Sequence, residues 1–200
     1  MKYEIELLLT PEQSEKVSQL HDQFIDLCND ILPYVHQNQC WNRVALHHLV
    51  YHSMRQKYPK LGSQLVCNSI NLVCKFTNFV YQKKKKIYKI NGMPHIIISK
   101  KNPVILDART ISIKNGIISI ITLEGRMKVR LSLRDDQLKA ISDRPISEAY
   151  LQVTHNQCKL ILGLNQPFLK EFDQYYTIFG GDLLRVNENQ YLFEKTCQNA

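Results

Sequence analysis

Along the first nine residues polar and apolar positions alternate, with Tyr3, Ile5 and Leu7 set against Glu4 and Glu6, which predicts a strand from Lys2 to Leu9. Thr10-Pro11-Glu12-Gln13 follows, placing a hydroxyl at the N-cap, a proline at the first helical position and an amide at the third, the pattern of a capping box. Val17, Leu20, Phe24, Leu27 and Ile31 then recur at spacings of three and four, so one apolar stripe runs down a first helix that Pro33 is expected to stop. A second helix is predicted from about Asn42 to Lys57, with Val44, His48, Leu49 and His52 near one face and Tyr58-Pro59 as its end. Ser63 is placed to cap a third, in which Val66, Ile70, Val73, Thr77 and Val80 keep the helical period.

From about Met93 the period becomes two. Short antiparallel strands are expected at Ile96 to Ile98, Val104 to Leu106, Ile111 to Ile113, Ile117 to Leu123 and Met127 to Leu133, and again at Ala149 to Thr154 and Lys159 to Leu164. Asn115-Gly116 is a two-residue hairpin signal, because a type I′ turn needs positive φ at both positions. Glu124-Gly125 predicts a second tight turn, and Gly180-Gly181-Asp182 a further hairpin in the tail. A lone N-terminal strand needs sheet partners, and those lie beyond residue 90. The expected fold is therefore α+β: a small antiparallel β-barrel built from residues 1–9 and 90–168, a three-helix insertion at 10–89, and a C-terminal extension at 169–200.

Charge changes the picture at the junction of the two patterns. The chain carries a net +8, and Lys75, Lys83, Lys84, Lys85, Lys86, Lys89, Lys100 and Lys101 follow one another without an intervening acid. Phe76, Phe79, Tyr81 and Tyr88 lie among them, so cations able to neutralise phosphates alternate with rings on which bases can stack. A solvated helix end over core aromatics accounts for the same run, and both readings stay open. Arg126, Lys128 and Arg130 alternate along one predicted strand and so project from one face, which Arg109 and Lys114 are placed to extend. A solvated outer sheet face gives the same alternation.

Other chemistry is thin. Phosphate-loop, dinucleotide and nucleophile-elbow glycine motifs are missing from the sequence. His48 and His52 have zinc-like spacing, but Leu49 stands where a metalloprotease motif needs glutamate. Asp135-Asp136 reads as a turn, and Asp107, Glu124, Asp143 and Glu148 occur singly among basic residues, which favours salt bridges over a two-metal site. Six cysteines form no C-x-x-C pair and are expected as free thiols, several of them buried. No metal, cofactor or catalytic residue is expected. The start lacks the apolar core of a signal peptide, and no stretch approaches the roughly 18 apolar residues that span a bilayer, so a cytoplasmic protein with no membrane partner is expected.

Two stretches carry a family resemblance. Leu46-His47-His48-Leu49-Val50-Tyr51 with Arg55 and Tyr58-Pro59, followed by Leu61-Gly62-Ser63-Gln64-Leu65-Val66-Cys67-Asn68 and Ile70, resembles the recognition-lobe helices of TnpB-type proteins, the transposon-encoded RNA-guided nucleases related to type V CRISPR effectors. Val104 to Leu131, with Asp107-Ala108-Arg109-Thr110-Ile111-Ser112 and Leu123-Glu124-Gly125-Arg126, resembles their wedge-domain strands. Together they cover about residues 1–168. The resemblance implies a wedge-like barrel and a recognition-lobe-like insertion that bind a structured guide RNA, with DNA and a larger effector or transposition protein as further candidate partners. It does not imply cleavage: Gly180-Gly181-Asp182-Leu183-Leu184 departs at Leu184 from the first strand of the family's nuclease domain, and Asp182 reads as a turn residue. The expectation is thus a nuclease-free RNA-binding protein, and the competing one a protein-interaction subunit or domesticated transposon remnant without its own RNA.

Overall fold

A computed structural model describes residues 2–79, 95–142, 144–154, 157–164, 181–187 and 190–195, the last two segments through their backbone alone. The chain begins with β1 (Lys2–Glu6), then three helices, α1 (Pro11–Asn38), α2 (Arg43–Lys57) and α3 (Ser63–Phe79). Short strands follow: β2 (His95–Ile98), β3 (Val104–Leu106), β4 (Ile111–Lys114), β5 (Ile117–Thr122) and β6 (Gly125–Arg130). A short helix α4 (Asp135–Ser142) precedes β7 (Ile146–Val153), β8 (Cys158–Leu164), β9 (Gly181–Asn187) and β10 (Gln190–Lys195).

The fold is mixed α+β. β1 finds its partner beyond the helices, pairing antiparallel with β8 so that Ile5 lies opposite Leu160, in a sheet ordered β1-β8-β7-β3. β4, β5 and β6 form a separate antiparallel meander. Among the described residues no pairing closes these sheets into a barrel, and one strand departs from the antiparallel expectation: β2 runs parallel to β10, which in turn pairs with β9. Asp182 therefore lies inside β9 opposite Glu194, not in a turn.

α1 starts where its capping box places it. The Thr10 hydroxyl accepts from the Gln13 N–H and the Gln13 side-chain oxygen accepts from the Thr10 N–H, at 3.3 and 3.0 Å. The helix runs through Pro33 to Asn38, further than expected. An interior proline removes one ladder bond and costs roughly 3 kcal/mol. Leu32 and Val35 on either side of it are buried, and that burial offsets the loss. Gln39 ends the helix in the left-handed region at φ 47°.

In α2 the apolar contacts are not those the expected stripe named. Leu46, Val50 and Met54 are buried, whereas Val44 is 65% and Leu49 44% exposed, with His48 and His52 also outward. α3 begins one residue after its cap: Gly62, not Ser63, supplies the carbonyl that accepts from Val66. Asp135-Asp136 is the first turn of α4, where both carboxylates face the positive end of the helix dipole.

One continuous core joins helices and sheets. Phe24 of α1, Phe76 of α3, Leu106 of β3 and Leu151 of β7 are all buried in it, and α1 packs on α2, α3 and β2. Polar side chains fix the register of that packing. The Asn29 amide donates to the Ile98 carbonyl at 2.9 Å and accepts from the Ile98 N–H at 2.8 Å, treating β2 as a strand would. His21 Nε2 lies 2.8 Å from the Asn102 carbonyl, and Lys100 pairs with Asp22 at 2.8 Å, so α1 grips the end of β2 once and the β2–β3 connection twice. Cys28, Cys74 and Cys158 are buried free thiols, and burial pushes the last two up to about 12, which keeps them protonated.

Candidate nucleic-acid interface

The meander turns on its two hairpins. Asn115 and Gly116 take φ of 52° and 72°, the two positive values a type I′ turn requires. The second turn falls on Leu123-Glu124, one residue earlier than expected, with Thr122 paired to Gly125 and Gly125 alone at positive φ, 104°. The Thr122 hydroxyl closes it, donating to the Gly125 carbonyl at 2.8 Å and accepting from the Glu124 N–H at 3.3 Å.

The register then decides which side chains share a side. Ile111, Ile118, Ile120, Met127 and Val129 point into the core. On the opposite face Lys114, Ile117 and Arg130 stand in one row across three strands, Ser112, Ser119 and Lys128 in the next, and Ile121 with Arg126 in a third. Lys114, Arg126, Lys128 and Arg130 are all exposed, and Ile117 is 42% exposed between two cations. Among the described residues Lys114, Lys128 and Arg130 form no ion pair with an acid. Small hydroxyls in the middle row keep the surface low, so a backbone laid across it can reach the long side chains on either side.

Arg126 is held differently. Its guanidinium donates to the Arg109 carbonyl at 2.6 Å and to Ser119 Oγ at 3.4 Å, which pins it flat across β5. Arg109 in turn donates to Gln64 Oε1 of α3 at 3.0 Å, and Gln64 donates to Asp107 Oδ2 at 2.5 Å. Asp107, expected in a salt bridge, instead accepts from the N–H groups of Arg109 and Thr110 and so shapes the loop before β4. Glu124 does form an ion pair, 3.4 Å from Lys16, and Glu148 accepts from the Tyr150 hydroxyl at 3.0 Å. Asp143 lies outside the described residues.

Arg109 carries the cationic surface from the meander to the helices. The half-buried Cys67 thiol of α3 is pushed up by desolvation and by Asp107 and pulled back by Arg43, Arg109 and Arg55, so charges from α2 and the β3–β4 loop act on the same side chain. Arg55 also donates to the Leu61 carbonyl, which ties α2 to the turn before α3. Arg43 was not singled out from the sequence, and Arg55 entered there through the family resemblance and not as a candidate for binding. A signal for them exists: the 76 residues from Ile31 to Leu106 hold twelve lysines and arginines and no aspartate or glutamate. The remainder of the chain carries fourteen basic against eighteen acidic residues, so the cationic excess belongs to α2, α3 and the segment after them. On α2 the rings of His47 and Tyr51 are stacked at 4.5 Å, with His52 edge-on to Tyr51.

Of the ten cations expected to bind nucleic acid, Lys83, Lys84, Lys85, Lys86 and Lys89 lie outside the described residues. The other five come together: Lys114, Arg126, Lys128 and Arg130 on one face and Arg109 at its edge. Among the described residues no three histidines, cysteines or carboxylates converge as metal ligands would, and no helix is long and apolar enough to cross a membrane. Compared with known proteins, the chain matches no family model and no curated protein sequence.

Proposed function

We propose that this chain binds RNA through the outer face of the β4–β5–β6 meander together with Arg109 of the β3–β4 loop and Arg43 and Arg55 of α2, in the manner of the wedge and recognition lobes of transposon-encoded RNA-guided nucleases. The observation that carries the reading is the register that sets Lys114, Lys128 and Arg130, unpaired among the described residues, on one flat face. Their spacing suits a phosphate backbone, because successive cations on a strand face repeat every two residues, about 7 Å. Hydroxyls at Ser112 and Ser119 add donors and acceptors suited to ribose 2′-OH groups. The acid-free span from Ile31 to Leu106 is a second support for the helical part of the surface alone, since no carboxylate within it offsets the charge of Arg43 and Arg55. Guide-like structured RNA is the proposed ligand, and binding, not catalysis, is the role given to every residue named.

The test is RNA affinity across a salt series for the native protein and for Lys128→Glu/Arg130→Glu. Four cations that each neutralise a phosphate give a log–log slope of about −3 on a single strand, and removing two of them brings it to roughly −1.5. An affinity and slope unchanged by the reversal would overturn the reading. A stable complex with another protein that survives nuclease treatment would move the role to a protein-interaction subunit.

A further inference from the structure

A cleft of about 210 Å³ runs along the free edge of β6, between the first turn of α1 and the β5–β6 turn. β6 is the end strand of its sheet, and the Leu131 N–H donates inward to the Gly116 carbonyl. By the alternation of an antiparallel strand, the main-chain groups of Lys128 therefore face the free edge. Its carbonyl accepts from Gln13 Nε2 at 3.0 Å, and that bond fixes the width of the cleft. Across the opening Lys16 Nζ stands between two carboxylates, 2.7 Å from Glu12 Oε1 and 3.4 Å from Glu124 Oε2. Both glutamates are well exposed.

The lining is mixed: Lys16, Arg126 and Lys128 stand with Glu12 and Glu124. The two carboxylates offer acceptors that a phosphodiester, which carries no donor, cannot use. A nucleobase can. The volume is below the roughly 300 Å³ of pockets that take drug-sized ligands, which limits the occupant to one planar ring system. A carboxylate beside an ammonium offers two acceptors and a donor in sequence. Among the four RNA bases, guanine alone presents the complement on its Watson–Crick edge, with N1–H and the 2-amino group as adjacent donors and O6 as acceptor. Uracil places one donor between two acceptors, and adenine and cytosine each present a single donor group there. Unpaired bases of RNA are read on this edge.

We infer that the cleft is a pocket for one unpaired guanine of the RNA whose phosphates lie along β6, with Glu12 or Glu124 accepting from N1–H and the 2-amino group and Lys16 donating to O6. The inference rests on the RNA-binding reading above and adds a base preference to it.

The experiment measures fluorescence anisotropy of labelled oligouridine carrying one central guanosine, inosine, adenosine, cytidine or uridine. Guanosine is expected to bind about tenfold tighter than uridine, the order of discrimination of one good bidentate base contact. Inosine, which lacks the 2-amino group, falls between them, and adenosine and cytidine match uridine. In Glu12→Ala/Glu124→Ala the guanosine-to-uridine ratio should collapse towards one, and in Lys16→Met it should fall. Equal affinity for all five RNAs, with binding still salt-sensitive and still lost in Lys128→Glu/Arg130→Glu, overturns the pocket and leaves the RNA reading standing. A guanosine preference that persists in the double alanine variant overturns its location. Failure to bind any of the five oligonucleotides by a protein that still binds a folded RNA in a salt-sensitive way overturns the pocket alone, and failure with the folded RNA as well overturns both readings.

Discussion

β6 and α2 both present polar and basic side chains outward, yet their sequences disclose this unequally. In β6 every second residue is a cation, and a period of two admits only two arrangements, of which one puts Met127 and Val129 in water. The exposed row follows from the alternation alone. α2 offers two apolar stripes that compete: Val44, Leu49 and the histidines on one side, and Leu46, Val50 and Met54 at four-residue spacing on the other. Local pattern does not rank them. α3 and α1 do, by supplying a surface that the second stripe fits. A strand face can be read from its own residues, whereas a weakly amphipathic helix needs its neighbours.

The largest effect that sharpens this contrast lies in α2. Leu46→Ala should destabilise by about 2–5 kcal/mol, since it leaves a cavity among fully buried neighbours, while Val44→Ala should stay within about 0.5 kcal/mol. Urea midpoints of the two variants measure it, and similar losses would mean that Val44 is also packed. On the β side the corresponding change is functional. Lys128→Glu/Arg130→Glu should lower RNA affinity at least tenfold in 100 mM salt and leave the melting temperature unchanged, because both residues are exposed and outside any ion pair among the described residues. A large fall in melting temperature would show that the row supports the sheet.

Smaller effects probe what holds the two regions in place. Asn115→Ala puts a methyl-bearing residue at φ 52° and should cost about 1 kcal/mol, read as a lower denaturant midpoint with an unchanged slope. Thr10→Ala removes the α1 cap for a similar loss of about 1 kcal/mol. The smallest is a pH effect at His21. Burial holds this imidazole below its usual range, so the unfolded chain takes up its proton first as pH falls. Stability contributed by neutral His21 is thus complete above the unfolded value near 6.5 and declines below it. Melting temperatures of the native protein should drop between pH 7.5 and 5.5 more steeply than those of His21→Gln. Parallel profiles would remove His21 from the account.

Much of the fold can be read from local chemistry. The Thr10 box and the Asn115-Gly116 turn are each set by a few adjacent residues, and the structure uses both. What is not legible depends on distant parts. Pro33 is tolerated because Leu32 and Val35 meet a core built by other elements. α4 buries only Ile141 in eight residues, too little for a period to show. The parallel pairing of β2 with β10 joins segments almost a hundred residues apart, with no local signal at either. The candidate site divides in the same way. Its cationic row is written in one strand, but the links from Arg126 to Arg109 and from Arg109 to Gln64 exist only after β6, the β3–β4 loop and α3 have met.

The pairing of β1 with β8 has a consequence for synthesis. β1 leaves the ribosome before its partner strand, which is about 150 residues behind it. At translation speeds of roughly 5–20 residues per second, β1 waits on the order of 10–30 s before a mate exists. During that interval Tyr3, Ile5 and Leu7 lack the strand they pair with, while α1, α2 and α3 are local enough to form early and cover them in part. The sheet that carries β1 is therefore among the last parts to close, and a ribosome stalled before residue 158 would hold a chain with its first strand unpaired.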